Sequence, residues 1–198
     1  MNSTVTNILR ILIWPVGLAL LLGLYFADNI KGYYRFKELC SKEAGLKVYQ
    51  PLERDVGWFS DKNESGYLLY SYPSIAFVRY ADKAQSFQDL IRTTEKKDSS
   101  DDGFRPQPAD VSKQPMYVFR KTIEEVSNGS RMTHFKTAVT NLESGQPVVT
   151  YQDFTYRIFS PDWGVAQGTS CSSLDHRDSD QRPSHAQEIA IQQAFSNK

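Results

Sequence analysis

Little in this sequence is specialised. With only two cysteines and three histidines, neither a disulfide-dense scaffold nor a Cys-rich metal fold is open to it. Lys plus Arg and Asp plus Glu stand at 23 each, so the basic excess of a nucleic-acid binder is missing. No Gly-x-Gly-x-x-Gly run, P-loop, Gly-x-Ser-x-Gly elbow or Cys-x-x-Cys pair occurs. Sequence support for a nucleotide site, a serine nucleophile or a dithiol redox centre is therefore lacking. Net charge is zero while Tyr and Phe number 11 each, a composition that suits half-buried strands rather than disorder.

The one long apolar run is Ile8 to Ala27, ILRILIWPVGLALLLGLYFA, whose single charge is Arg10. Twenty helical residues rise about 30 Å, the thickness of a bilayer's hydrocarbon core. The run therefore predicts a transmembrane helix, with Trp14 near one interface and Tyr25 and Phe26 near the other. Pro15 is expected in the first turns, where a missing N–H costs least. A cleaved signal peptide is the competing reading, but the run is long for one and Tyr25 spoils the small-x-small site before Ala27. Cys40 lies too far downstream for a lipoprotein, and no Glu enters the run as in a type IV pilin.

The expected organisation is a tail and anchor over residues 1–28 and a single α+β domain over 29–198. Asp28 to Ala44 continues as a juxtamembrane helix, with Tyr33, Phe36, Cys40 and Ala44 at helical spacing and Gly45 as its left-handed cap. Pro51 to Gly66 reads as irregular, and Tyr67 to Tyr72 and Ser74 to Tyr80 as strands. Thr93 to Pro115 reads as a long polar loop. Met116 to Val126, Arg131 to Leu142 and Val148 to Phe159 form an antiparallel β-meander, its first turn the hairpin dipeptide Asn128-Gly129. Residues from Ser184 to Phe195 form a closing helix, with a Ser184-x-x-Gln187 capping box and with Ile189 and Phe195 toward the sheet.

Two signals conflict over the side on which the domain lies. Lys31, Arg35, Lys37, Lys42 and Lys47 follow the apolar run and favour a cytoplasmic domain. Cys40 and Cys171 are an even pair, far apart, that an oxidising compartment would let join; they also read as two unrelated buried thiols. A short N-tail with one Arg is the usual layout of an export signal-anchor, and the extracytoplasmic side is the one expected.

The segment YYRFKELCSKEAGLKVY, Tyr33 to Tyr49, with Trp163-Gly164 and Cys171 later, resembles a group of small bacterial membrane-anchored or exported envelope proteins. In them an aromatic-x-x-Leu-Cys run follows an apolar N-terminus. The resemblance implies a bacterial envelope setting and a Cys40–Cys171 disulfide; taken with the anchor and the side argued above, the expected location is the bacterial inner membrane with a periplasmic domain. The resemblance implies no activity.

Candidate chemistry is thin. Asp175, His176, Asp178, Asp180 and His185 form the densest set of possible ligands, but their spacing is irregular and lacks the Gly of a cation loop, so a solvated loop is the better reading. His134 sits mid-strand, where a surface or hydrogen-bonded histidine is far commoner than a base. Asn2, Asn63 and Asn128 head N-x-[ST] triplets, which matter only in a glycosylating pathway. No catalytic, cofactor or metal residue is assigned. The expected function is that of a non-enzymatic envelope protein, with the membrane and a protein as partners, as an accessory subunit or an exclusion or immunity factor. The alternatives are a hydrolase acting on envelope material and a small-ligand or lipid-binding module on the aromatic sheet face.

Overall fold

A computed structural model describes residues 3–82, 86–93, 103–126, 131–157, 168–175 and 183–195, excluding the side chains of 3–13, 25, 26, 28, 175 and 183–185. Helix α1 runs unbroken over Ser3–Lys42. Strands β1 (Gly45–Val48) and β2 (Val56–Phe59) follow, then helix α2 (Lys62–Ser71). Next come β3 (Ile75–Ala81), β4 (Phe87–Arg92) and β5 (Phe104–Pro108). The long strands are β6 (Pro115–Glu125), β7 (Met132–Asn141) and β8 (Pro147–Arg157). The short β9 (Gly168–Ser170), α3 (Cys171–Asp175) and α4 (Pro183–Gln193) complete the described chain.

The strands make one nine-stranded sheet in the order β1-β8-β7-β6-β2-β3-β4-β5, with β9 also on β8. The β6-β7-β8 meander expected from the sequence makes up one side of it, next to edge strand β1, and every pair within it is antiparallel. The β2-α2-β3 unit joins it in parallel: β2 pairs with β3 on one side and β6 on the other. A parallel neighbour needs a crossover, and α2 supplies it. At its close approach to β3, Gly57 leaves room for the Phe77 ring, which a Cβ there would meet at 2.1 Å.

Two apolar clusters hold the fold. In the larger, Trp58 stacks against Tyr72, Phe119 and Phe195 with centroids 6.0, 6.4 and 6.2 Å away. Leu68 and Leu69 of α2 and Ile191 of α4 are buried in the same cluster. The closing helix thus covers the sheet as expected, but through Ile191 together with Phe195, while Ile189 is exposed. Two residues apart, Ile189 and Ile191 stand about 200° from each other around α4, so burying one turns the other outward. The smaller cluster joins α1 to β7 and β8 through Phe36, Met132, Phe154, Tyr156 and Cys171.

Several expectations are corrected. Tyr67 to Tyr72 belongs mostly to a helix, because Ser65, Leu68, Leu69 and Tyr72 recur at helical spacing and are buried together. The supposedly irregular Pro51 to Gly66 contains β2 and the start of α2. The expected loop from Thr93 to Pro115 contains β5, whose Pro106 and Pro108 fit because β5 is the sheet's edge. Sequence reading gave β4 no place. Residues 127–130, including the Asn128-Gly129 turn, lie outside the described residues, as do 158–167.

The transmembrane helix expected over Ile8–Ala27 is also corrected. Among the described residues, no helix is long and apolar enough to cross a membrane. Pro15 lies well inside α1 and not in its first turns, because the helix starts at Ser3.

Candidate functional site: the junction of helix α1 and the sheet

The most elaborate chemistry among the described residues sits where α1 meets the end of β8. Cys40 of α1 and Cys171 of α3 form a disulfide, with Cα atoms 5.2 Å apart. The pairing implied by the resemblance is therefore present, and the reading of two unrelated thiols is excluded. Nearer the arm, Tyr156 Oη donates to the backbone oxygen of Asn29 at 2.9 Å. Gly32 lets the two surfaces meet: a Cβ there would lie 2.7 Å from the Tyr156 hydroxyl. Phe36 stacks on Tyr156 at 5.7 Å.

Beside the disulfide lies an open cavity of about 600 Å³, lined among others by Lys37, Ser41, Tyr151, Asp153 and Ser172. Asp153 is almost fully buried and organises the turn after β9. Its Oδ1 accepts from the backbone N–H of Phe154 at 2.8 Å and of Cys171 at 3.0 Å. Its Oδ2 accepts from Ser172 Oγ at 2.9 Å. Burial nevertheless pushes the Asp153 carboxyl above its usual range, and the hydrogen bonds from Ser172, Phe154 and Cys171 only partly offset this. Burial, then the neighbouring Asp153 charge, pushes Tyr151 up to about 12. Both Asp153 oxygens are engaged in holding backbone and serine, so the group reads as a positioning carboxylate for the disulfide loop.

This shift fixes a pH dependence. A folded-state pKa raised above the unfolded value means that the native state holds the proton more tightly. Asp153 therefore favours the fold most at low pH, and stability declines as pH rises from about 4 through the raised folded value. Asp153→Asn keeps an acceptor for the two N–H groups and can donate to Ser172 Oγ. Its melting temperature should match or exceed the parent's at neutral pH, and the decline between pH 4 and neutrality should shrink. A larger decline in the variant would show that Asp153 is not the group responsible.

A second polar cluster joins α2 to α4. Ser71 Oγ donates to Glu188 Oε1 at 2.9 Å, and Gln192 Nε2 to the Ser71 backbone oxygen at 2.7 Å. Burial and the Glu188 charge push Tyr67 up to about 12. Reading the sequence missed this cluster because its partners are more than a hundred residues apart. A third group is structural: Arg79 and Asp89, in register on β3 and β4, form a buried bidentate pair at 2.6 and 2.9 Å. Arg79 also donates to the backbone oxygens of Asp110 and Lys113.

The sequence candidates fare differently. His134 is half-buried; its ring meets Gln152 Oε1 at 2.9 Å and stacks on Phe154 with centroids 4.6 Å apart. His176, Asp178, Asp180 and His185 lie outside the described residues or side chains, as does the Asp175 side chain. Among the described residues, no group of three or more His, Cys, Asp or Glu could hold a metal ion. No protein-family model matches the chain, and neither a curated protein nor a solved structure does.

Proposed function

We propose that this is a non-enzymatic binding protein of the bacterial envelope, held at lipid by the apolar arm of α1 and presenting its sheet domain to a protein partner on an oxidising, extracytoplasmic side. The observation that carries the reading is the arm itself. Trp14 is 83% exposed and Leu24 71%, and Val16, Leu18, Leu20, Leu21 and Leu22 are exposed between them. An apolar stretch exposed on all sides of a helix marks an interaction site. The disulfide supports the oxidising side, since such bonds persist outside the cytosol. It also fixes the arm to the domain, as an anchor requires. Exposed Val48 and Tyr49, at and just past edge strand β1, and Tyr70 on α2 offer apolar contacts for a partner away from the arm.

Crosslinking in intact cells, followed by detergent extraction and mass measurement, tests the partner. The expected species is the 22.6 kDa chain joined to one defined second polypeptide through residues near Tyr49 or Tyr70. A chain that never crosslinks from those positions, or that cleaves envelope polymers when purified, would contradict the reading.

A further inference from the structure

We infer that the outer half of β6 is an interface between two copies of this chain, which pair edge to edge as antiparallel strands centred on Ile123. The inference goes beyond the reading above: it concerns another part of the sheet, and it stands whether or not the arm meets lipid.

Strand β6 is an interior strand for only part of its length. β2 runs beside it from Gly57↔Pro115 to Phe59↔Val118 and then leaves for α2, with the Ser60 N–H donating to the Arg79 oxygen of β3. Beyond Val118, among the described residues, no strand pairs with that side of β6, and Arg120 to Glu125 are exposed throughout. On its other side the register with β7 is unbroken. The Val126 N–H donates to the Met132 oxygen at 3.1 Å and the Leu142 N–H to the Met116 oxygen at 2.8 Å. Bonded and non-bonded residues alternate along an antiparallel ladder. The even-numbered residues of β6 therefore bond to β7, and Lys121, Ile123 and Glu125 turn their backbone N–H and C=O groups to the open side.

An open edge is a template for another strand. The sheet's outer edges are poor ones, since β5 carries Pro106 and Pro108 and β1 is four residues long. The open part of β6 has no proline, and its charges select the partner. Lys121, Ile123 and Glu125 share one face, and their β7 neighbours Thr137, Phe135 and Thr133 carry no charge. Lys121 and Glu125 stand about 13 Å apart along the strand with Ile123 between them, a spacing at which they are not ion-pair neighbours. Against a second copy running antiparallel, with Ile123 facing Ile123, each Lys121 faces a Glu125. The two isoleucines, each 60% exposed alone, cover one another. Arg120 falls opposite Val126 and Thr122 opposite Glu124, so no like charges meet.

Other registers fit less well. A pairing centred on Thr122 needs Phe119 for its outer bonds, and Phe119 is buried. One centred on Glu124 sets that carboxylate against its own copy. Past Lys121 the surface opens into a space of about 450 Å³ lined by Ser60, Asp61, Lys121 and Leu142, which leaves room for the partner's chain beyond Glu125. The arrangement is two-fold and closes on itself, so it yields a dimer and not a fibre. A strand pair of this size falls below the standard interface area, so the dimer should be weak and concentration-dependent.

The test uses the full chain in neutral-detergent micelles at rising concentration, with the number of copies read by native mass spectrometry. The unaltered chain should pass from the 22.6 kDa monomer to a dimer. K121E or E125K sets like charges opposite each other at two symmetric positions and should weaken the dimer roughly thirtyfold. Both side chains are exposed and neither backbone bonds to β7, so the melting curves should match the parent's. Mixing the K121E chain with the E125K chain should restore a one-to-one pair, and so should K121E/E125K in a single chain. A chain that stays monomeric up to about 1 mM would overturn the interface. A dimer that survives both single reversals would overturn it too, since another surface would then hold it. Failure of the mixed chains to pair would overturn the register and the proposal with it.

Discussion

Replacing both bridging cysteines, as C40A/C171A, should lower the stability of the domain by about 5 kcal/mol, the loop-entropy value for a closure of this length. The bond spans 131 residues, nearly the whole described domain, so its removal frees much of the unfolded chain. For a chain of this size such a loss corresponds to a fall in melting temperature of roughly 10–20 °C. The same shift should follow when the unaltered chain is melted in a strong reductant. Loss of the bridge should also loosen the arm first, because among the described residues α1 packs on the sheet through the small cluster around Phe36 and Tyr156. Hydrogen exchange should then rise in Tyr33 to Ala44 before it rises in β7. A melting temperature unmoved by reductant would mean that the smaller cluster, and not the bond, holds α1.

The second large effect belongs to the buried ion pair. Arg79→Met should cost about 3–5 kcal/mol, because it leaves the Asp89 carboxylate buried without its counter-charge. The loss should reach beyond the strands. Arg79 donates to the Asp110 and Lys113 oxygens, and the Asp110 backbone N–H donates to Asp89, so the segment between β5 and β6 is held by the same pair. The double change R79M/D89L should recover much of the loss, since a well-packed apolar pair commonly equals a buried ion pair. Denaturant unfolding of the two variants decides the matter. A double variant less stable than R79M alone would show that the hydrogen bonds to the 110–113 segment matter more than the charge.

What could be read from the sequence follows from the range of the interactions. The β6-β7-β8 meander was legible because its pairing is local and its strands are long. The helical continuation of α1 as far as Lys42 was legible from the spacing of Tyr33, Phe36, Cys40 and Ala44, and Gly45 has the positive φ of 106° expected of it. The β2-α2-β3 unit was hidden. Its strand β2 is only four residues long, and the aromatic run Tyr67 to Tyr72 has a strand's composition but a helix's burial period. That period, Ser65-Leu68-Leu69-Tyr72, is in the sequence and in the fold it outweighs composition. Strand β5 was masked by its prolines, which only its edge position permits. The Arg79–Asp89 pair left a faint signal, a lone charge in each of two apolar runs, IAFVRYA and FQDLI. The Asp153 turn left none, because its meaning depends on Cys171 and Ser172 returning to it across β9.

The central claim is that Cys40 and Cys171 lock an exposed apolar arm to a sheet domain in an oxidising compartment. The most direct test is thiol alkylation of protein taken straight from its native cells under acid quench, followed by intact-mass measurement before and after reduction. The account predicts no alkylated cysteine before reduction and two after it, since the chain holds only these two. Two alkylated thiols before reduction would contradict both the clamp and the placement of the domain outside the cytoplasm.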